Sequence, residues 1–108
     1  MPIRMGVLMW DSAMLVNMVS YILLTEAMKY KVTFHCIGTG SLDGVRGLHH
    51  NLLDSVLEVW PNGAGAALRS ALYRDMSIIS LGQMYTGRTG LFMSSFLLDH
   101  PNFPAALK

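Results

Sequence analysis

One cysteine, Cys36, is all the chain has. No internal disulfide can close, and its place in a run that reads as a buried strand points to a structural thiol, not a reactive one. Charge is scarce as well: eight Lys and Arg and seven Asp and Glu among 108 residues, or 14%. The basic residues stand singly, without the stripe or patch that phosphate backbones demand, so no nucleic-acid partner is expected. Cys-x-x-Cys and His-x-x-x-His spacings are missing, and His49 and His50 are neighbours that diverge on a helix. His35 and His100 fall in separate segments, so no metal is expected, and no cofactor. Asp11, Asp43, Asp54, Glu58 and Asp99 show no catalytic spacing, and no Ser-His-Asp order stands out; the chain does not read as an enzyme. Gly38-Thr39-Gly40 begins like a dinucleotide loop, but the next glycine, Gly44, comes one place late. Gly87-Arg88-Thr89-Gly90 lacks the lysine of a P-loop.

Apolar residues are plentiful instead, at 52%, which is enough for the core of one small domain and argues against disorder. With so few charges, either the domain buries itself well or part of its apolar surface belongs against another lobe or subunit. The longest apolar stretch, Met5 to Leu24, holds Asp11, Ser12, Asn17 and Ser20. A carboxylate at a bilayer centre costs about 2.5–3.5 kcal/mol, and no small-residue cleavage site closes the run. It reads as strand, turn and helix.

Along the chain, Ile3 to Met9 reads as a strand and Ala13 to Lys29 as a helix buried on most sides, with Met14, Met18 and Met28 as core filler. Lys31 to Ile37 reads as a second strand, and Leu42 to His50 as a short helix weakened by Gly44 and Gly47. Ser55 to Val59 is a third strand, Ala64 to Arg74 a helix, and Ser77 to Leu81 a fourth strand. Leu91 to Ser94 reads as a further short strand and Phe96 to His100 as a short helix. Strands alternating with helices imply βαβ units, so the fold class is α/β, a mainly parallel sheet with flanking helices.

Ligands of open α/β sheets sit beyond the carboxyl ends of the strands. Trp10 follows the first predicted strand and Trp60 the third, so both tryptophans of the chain fall on that rim. Indole faces attract a quaternary ammonium, which has no N–H to donate. Helix starts at Ser12, Ser41 and Asn62 lie on the same rim, and their free N–H groups suit a carboxylate. A betaine-like zwitterion would match both. The plain alternative is that each tryptophan plugs the core under a loop.

Four segments carry a family resemblance. Met5-Gly6-Val7-Leu8-Met9-Trp10-Asp11 looks like the opening strand of glycine-betaine and choline-binding proteins of ABC importers, where Gly-Tyr-Val-x-Trp is typical. Lys29-Tyr30-Lys31-Val32 resembles their entry to the second strand. Leu57-Glu58-Val59-Trp60-Pro61-Asn62-Gly63 resembles their third-strand end, which opens into the ligand site. Leu81-Gly82 followed by Gly87-Arg88-Thr89-Gly90-Leu91-Phe92 is similar to their Leu-Gly … Gly-Arg-x-Gly-Trp-Tyr/Phe segment. Leu91 stands where a Trp is frequent, and Ser94 where Pro is common.

The resemblance implies a type II periplasmic-binding-protein fold. Residues 1–108 would be one truncated lobe of a two-lobe, clamshell solute-binding domain. It implies Trp60 as the first aromatic wall, Trp10 as the second, and Phe92 and Tyr85 as further candidates, with Asn62, Ser41 and Arg88 for the polar end of the ligand. The implied partners are a small zwitterionic or cationic ligand (betaine or choline) and the importer's membrane subunits, in a periplasmic or cell-surface setting. Half a cage is expected to hold betaine weakly, because small-ligand sites bury most of the ligand surface. The other reading is a structural remnant that forms a homodimer through unpaired apolar surface and binds no solute.

Overall fold

A computed structural model describes residues 1–88, 90, 92, 94–97 and 101. The chain is α/β: among the described residues, a three-stranded, wholly parallel sheet with three α-helices. Strand β1 is Ile3–Val7, β2 is Val32–Cys36 and β3 is Ser55–Val56. Their order is β2-β1-β3. Ile3 to Val7 run in register with Val32 to Cys36, and Met5 and Gly6 with Ser55 and Val56. The chain therefore steps to one side of β1 and returns to the other, which makes the β1/β3 carboxyl ends the switch point of the sheet.

Central β1 is buried at Met5, Gly6 and Val7, and Leu8 just beyond it is fully enclosed. At the other end of this strand pair Arg4 grips Asp54, with Nη2 and Nε donating to Oδ1 and Oδ2 at 2.7 and 3.0 Å. The Arg4 backbone N–H adds a third bond to Asp54, and Nη1 reaches the Asn51 carbonyl.

Helix α1, Asp11–Ile22, continues through a wide turn at Leu23–Ala27. Its composition predicts burial on most sides, and the structure corrects this. Only Ala13 and Asn17 are buried, whereas Met14, Leu15, Met18, Val19, Ile22 and Leu23 are exposed. Met28 is exposed too, so these methionines fill no core. A short sheet of three strands gives one i, i+4 stripe something to pack on and leaves the rest of the helix uncovered.

Helix α2, Ser41–His49, runs unbroken through Gly44 and Gly47. Those glycines bring it close to the sheet: a Cβ on Gly47 would sit 2.5 Å from Leu53 Cδ1, and one on Gly44 2.9 Å from Val56 Cγ1. Helix α3, Pro61–Arg69, opens on a proline whose missing N–H a first turn does not need, and it continues through a wide turn at Ser70–Arg74. Val45, Ala64 and Ala71 form the core between α2 and α3, with Leu42, Val59, Ala67, Leu68 and Ile78 around it.

Four further expectations are corrected. Cys36 is exposed, because β2 is an edge strand paired on one side only. Ser77 to Leu81 is not a strand: it is held by Ser77 N–H donating to the Ala71 carbonyl at 3.0 Å and joins no ladder. Of the strand expected at Leu91 to Ser94, Phe92 and Ser94 are outside any strand, and Leu91 and Met93 lie outside the described residues. Of the helix expected at Phe96 to His100, Ser95–Leu97 forms one 3-10 turn, and residues 98–100 lie outside the described residues.

Candidate ligand site

Trp10 and Trp60 occupy equivalent local positions. Each is the extended residue that precedes a helix, Trp10 before α1 (φ −135°, ψ 158°) and Trp60 before α3 (φ −93°, ψ 120°). Neither tryptophan side chain bonds the helix it precedes. Both side chains are half-buried.

What brings them together is Glu58. Its Oε1 accepts Trp10 Nε1–H at 2.7 Å, Trp60 Nε1–H at 3.1 Å and the Ser12 hydroxyl at 2.6 Å. Its Oε2 is buried without a partner among the described residues. Glu58 adopts the left-handed backbone region (φ 63°), a conformation that costs an L-residue about 1–2 kcal/mol. That backbone bend turns a carboxylate back between two indoles which sequence separates by 50 positions. Burial pushes the Glu58 carboxyl up, but the hydrogen bonds from Ser12, Tyr85, Trp10 and Trp60 outweigh it and hold the group below the usual range. The site therefore carries an ionised carboxylate at neutral pH.

Tyr85 completes the cluster. Its ring stands 6.0 Å from that of Trp60, at 72° in an edge arrangement, which suits the aromatic quadrupoles. Proximity to Glu58 and partial desolvation raise its phenol above the ordinary value. Gly87 passes so close over Trp60 that a Cβ there would collide with Cη2 and lie 2.7 Å from Cζ3. Ser41 is buried, and its hydroxyl accepts the Trp60 backbone N–H at 2.8 Å. It fixes the tryptophan from behind.

Of the residues singled out from sequence, the structure thus gathers Trp10, Trp60, Tyr85 and Ser41. Asn62 is exposed on the first turn of α3. Arg88 is exposed, and Phe92 is 86% exposed; neither joins the cluster by a hydrogen bond or ring contact among the described residues. Glu58 and Ser12 were missed as anchors. The available signal was a lone acidic residue in an otherwise apolar strand end, two places before Trp60.

Two clefts lie elsewhere. One of about 380 Å³ is walled by residues that include His35, Cys36, Arg46 and His50, and one of about 170 Å³ lies between α2 and the end of α3; neither includes a tryptophan. Among the described residues no group of three His, Cys, Asp or Glu is placed to hold a metal, and no helix is long and apolar enough to cross a membrane. Comparison with protein-family models, with curated proteins and with solved structures finds no match for this chain.

Proposed function

We propose that the chain is part of a solute-binding module for small quaternary amines, one lobe of a two-lobe binding domain that delivers its ligand to the membrane subunits of an ABC-type importer, without chemistry of its own. The observation that carries this reading is the convergence of Trp10 and Trp60 on one carboxylate at the switch point of a parallel sheet. Ligands of open α/β sheets settle in that place. Indole faces recognise a trimethylammonium group, and each contributes about 0.5–1 kcal/mol when exposed and about 2 when desolvated. Two or three such walls reach only about 1–6 kcal/mol, a range centred near the roughly 4 kcal/mol that a millimolar Kd requires. The lobe alone binds weakly, and a facing lobe supplies the enclosure.

The test must read millimolar affinity. In a titration followed by the two indole N–H resonances, choline is expected to shift both, while its neutral carbon isostere, 3,3-dimethylbutan-1-ol, shifts neither at equal concentration. Trp60→Ala should abolish the choline response of the remaining Trp10 signal. Equal responses to choline and the isostere, or none to either, would overturn the proposal.

A second reading, a lobe that pairs with another copy and binds no solute, draws on the exposed apolar face of α1 at Met14, Leu15, Met18 and Val19. A dimer on size exclusion whose indole signals ignore every quaternary amine would favour it.

A further inference from the structure

We propose that Glu58 makes this site selective for a quaternary amine of net positive charge, of the choline kind, over a zwitterion such as glycine betaine. The inference rests on the tryptophan site proposed above. Glu58 is the central charge of the cluster, touched by Trp10, Trp60 and Ser12. The ion pairs of the described residues, Arg4 with Asp54 and Arg74 with Asp75, leave it out. The groups that hydrogen-bond it, the Trp10 and Trp60 indoles, the Ser12 hydroxyl and the Tyr85 phenol, are all formally neutral, and Oε2 has no donor among the described residues. No cation pairs with this carboxylate among the described residues, and a bound cation would balance it.

The carboxylate also acts through the rings. An indole whose N–H donates to an anion is polarised toward a more electron-rich face, and that face is the one a cation meets. The polarising charge lies in a partly buried position, where electrostatic effects are stronger than in bulk water.

Provision for a ligand carboxylate is poor on the same rim. The first turns of α1 and α2 carry Asp11 and Asp43, which oppose an anion at those helix starts. Helix α3 begins with Pro61, which has no N–H, and the Trp60 N–H is already taken by Ser41. A zwitterion would bring its carboxylate toward Glu58. A monocation brings no such group.

The experiment compares choline with glycine betaine on the full chain, by indole N–H titration at low ionic strength, in the wild type and in Glu58→Gln. Glutamine keeps an oxygen acceptor for the indoles and removes the charge. Wild type is expected to prefer choline at least tenfold, about 1.4 kcal/mol, and the preference should shrink in 0.5 M salt. In Glu58→Gln the two ligands should bind within about threefold of each other, roughly 0.6 kcal/mol. Betaine binding as tightly as choline to the wild type overturns the inference while leaving the quaternary-amine site standing, as does an undiminished preference in a folded Glu58→Gln. Should that variant not fold, the wild-type ratio and its salt dependence decide. Failure of both ligands to move either indole overturns the site itself, and the inference with it.

Discussion

Replacing Glu58 by glycine and, separately, by alanine tests whether the carboxylate is held at the cost of backbone strain. Both substitutions remove the acceptor of Trp10, Trp60 and Ser12, so both lose the same side-chain interactions. A half-buried donor left unpaired costs about 1 kcal/mol, toward the low end of the usual 1–3 because water can reach it. The two half-buried indoles and the exposed Ser12 hydroxyl together put the expected loss at about 2–3 kcal/mol for alanine. Glycine differs from alanine in two opposing ways. Its greater freedom in the unfolded chain costs about 0.5–1 kcal/mol, whereas release from the left-handed region at φ 63° returns about 1–2 kcal/mol. The second effect is larger. Glu58→Gly is therefore expected to be about 0.5–1 kcal/mol more stable than Glu58→Ala, the reverse of the order at an ordinary position. Urea unfolding followed by far-UV circular dichroism, compared at equal m-values, measures the difference. Alanine equal to or better than glycine would mean that the backbone at Glu58 is not held left-handed, and the strained-anchor argument would fail.

Gly87→Ala is expected to cost about 1–3 kcal/mol by overpacking and to displace the Trp60 indole signal, because its Cβ meets Cη2 and Cζ3; an unmoved Trp60 resonance would count against the contact. Gly47→Ala gains about 1 kcal/mol of helix propensity but forces a Cβ to 2.5 Å from Leu53 Cδ1, an overpacking of about 1–3 kcal/mol. A net loss of about 1 kcal/mol should result and be recovered in the Leu53→Val background, as a double-mutant cycle in urea would show. Hydrogen bonds from the Arg4 side chain and then its backbone N–H lower Asp54 from 3.8 to about 2. A carboxyl lowered on folding adds stability that is complete above its unfolded value and is lost as pH falls through the folded one. The stability difference between wild type and Asp54→Asn should thus be constant above pH 4 and shrink toward about 2, read by thermal melts; a pH-independent difference would refute the pairing.

The sequence by itself determined the alternation of strand and helix, and with it a parallel α/β sheet. Period and turn residues are local signals: the apolar run before Asp11, the glycines at 38 and 40, and Pro61 each mark an element edge without help from distant residues. Because Trp10 and Trp60 sit immediately beyond two such edges, their common rim was legible from sequence as well. Strand count was not, since Ser77 to Leu81 has a strand's composition but joins no ladder, and pairing is a property of neighbours in space. Burial was misread for the same reason. Cys36 and the flank of α1 are apolar enough to be interior, yet β2 is an edge and three strands cannot cover the helix. The tertiary structure alone decided that β1 lies between β2 and β3, that a left-handed turn at Glu58 aims its carboxylate backward, and that two indoles 50 residues apart donate to the same oxygen. Those are long-range contacts, and they depend on how the sheet is ordered, which local sequence does not encode.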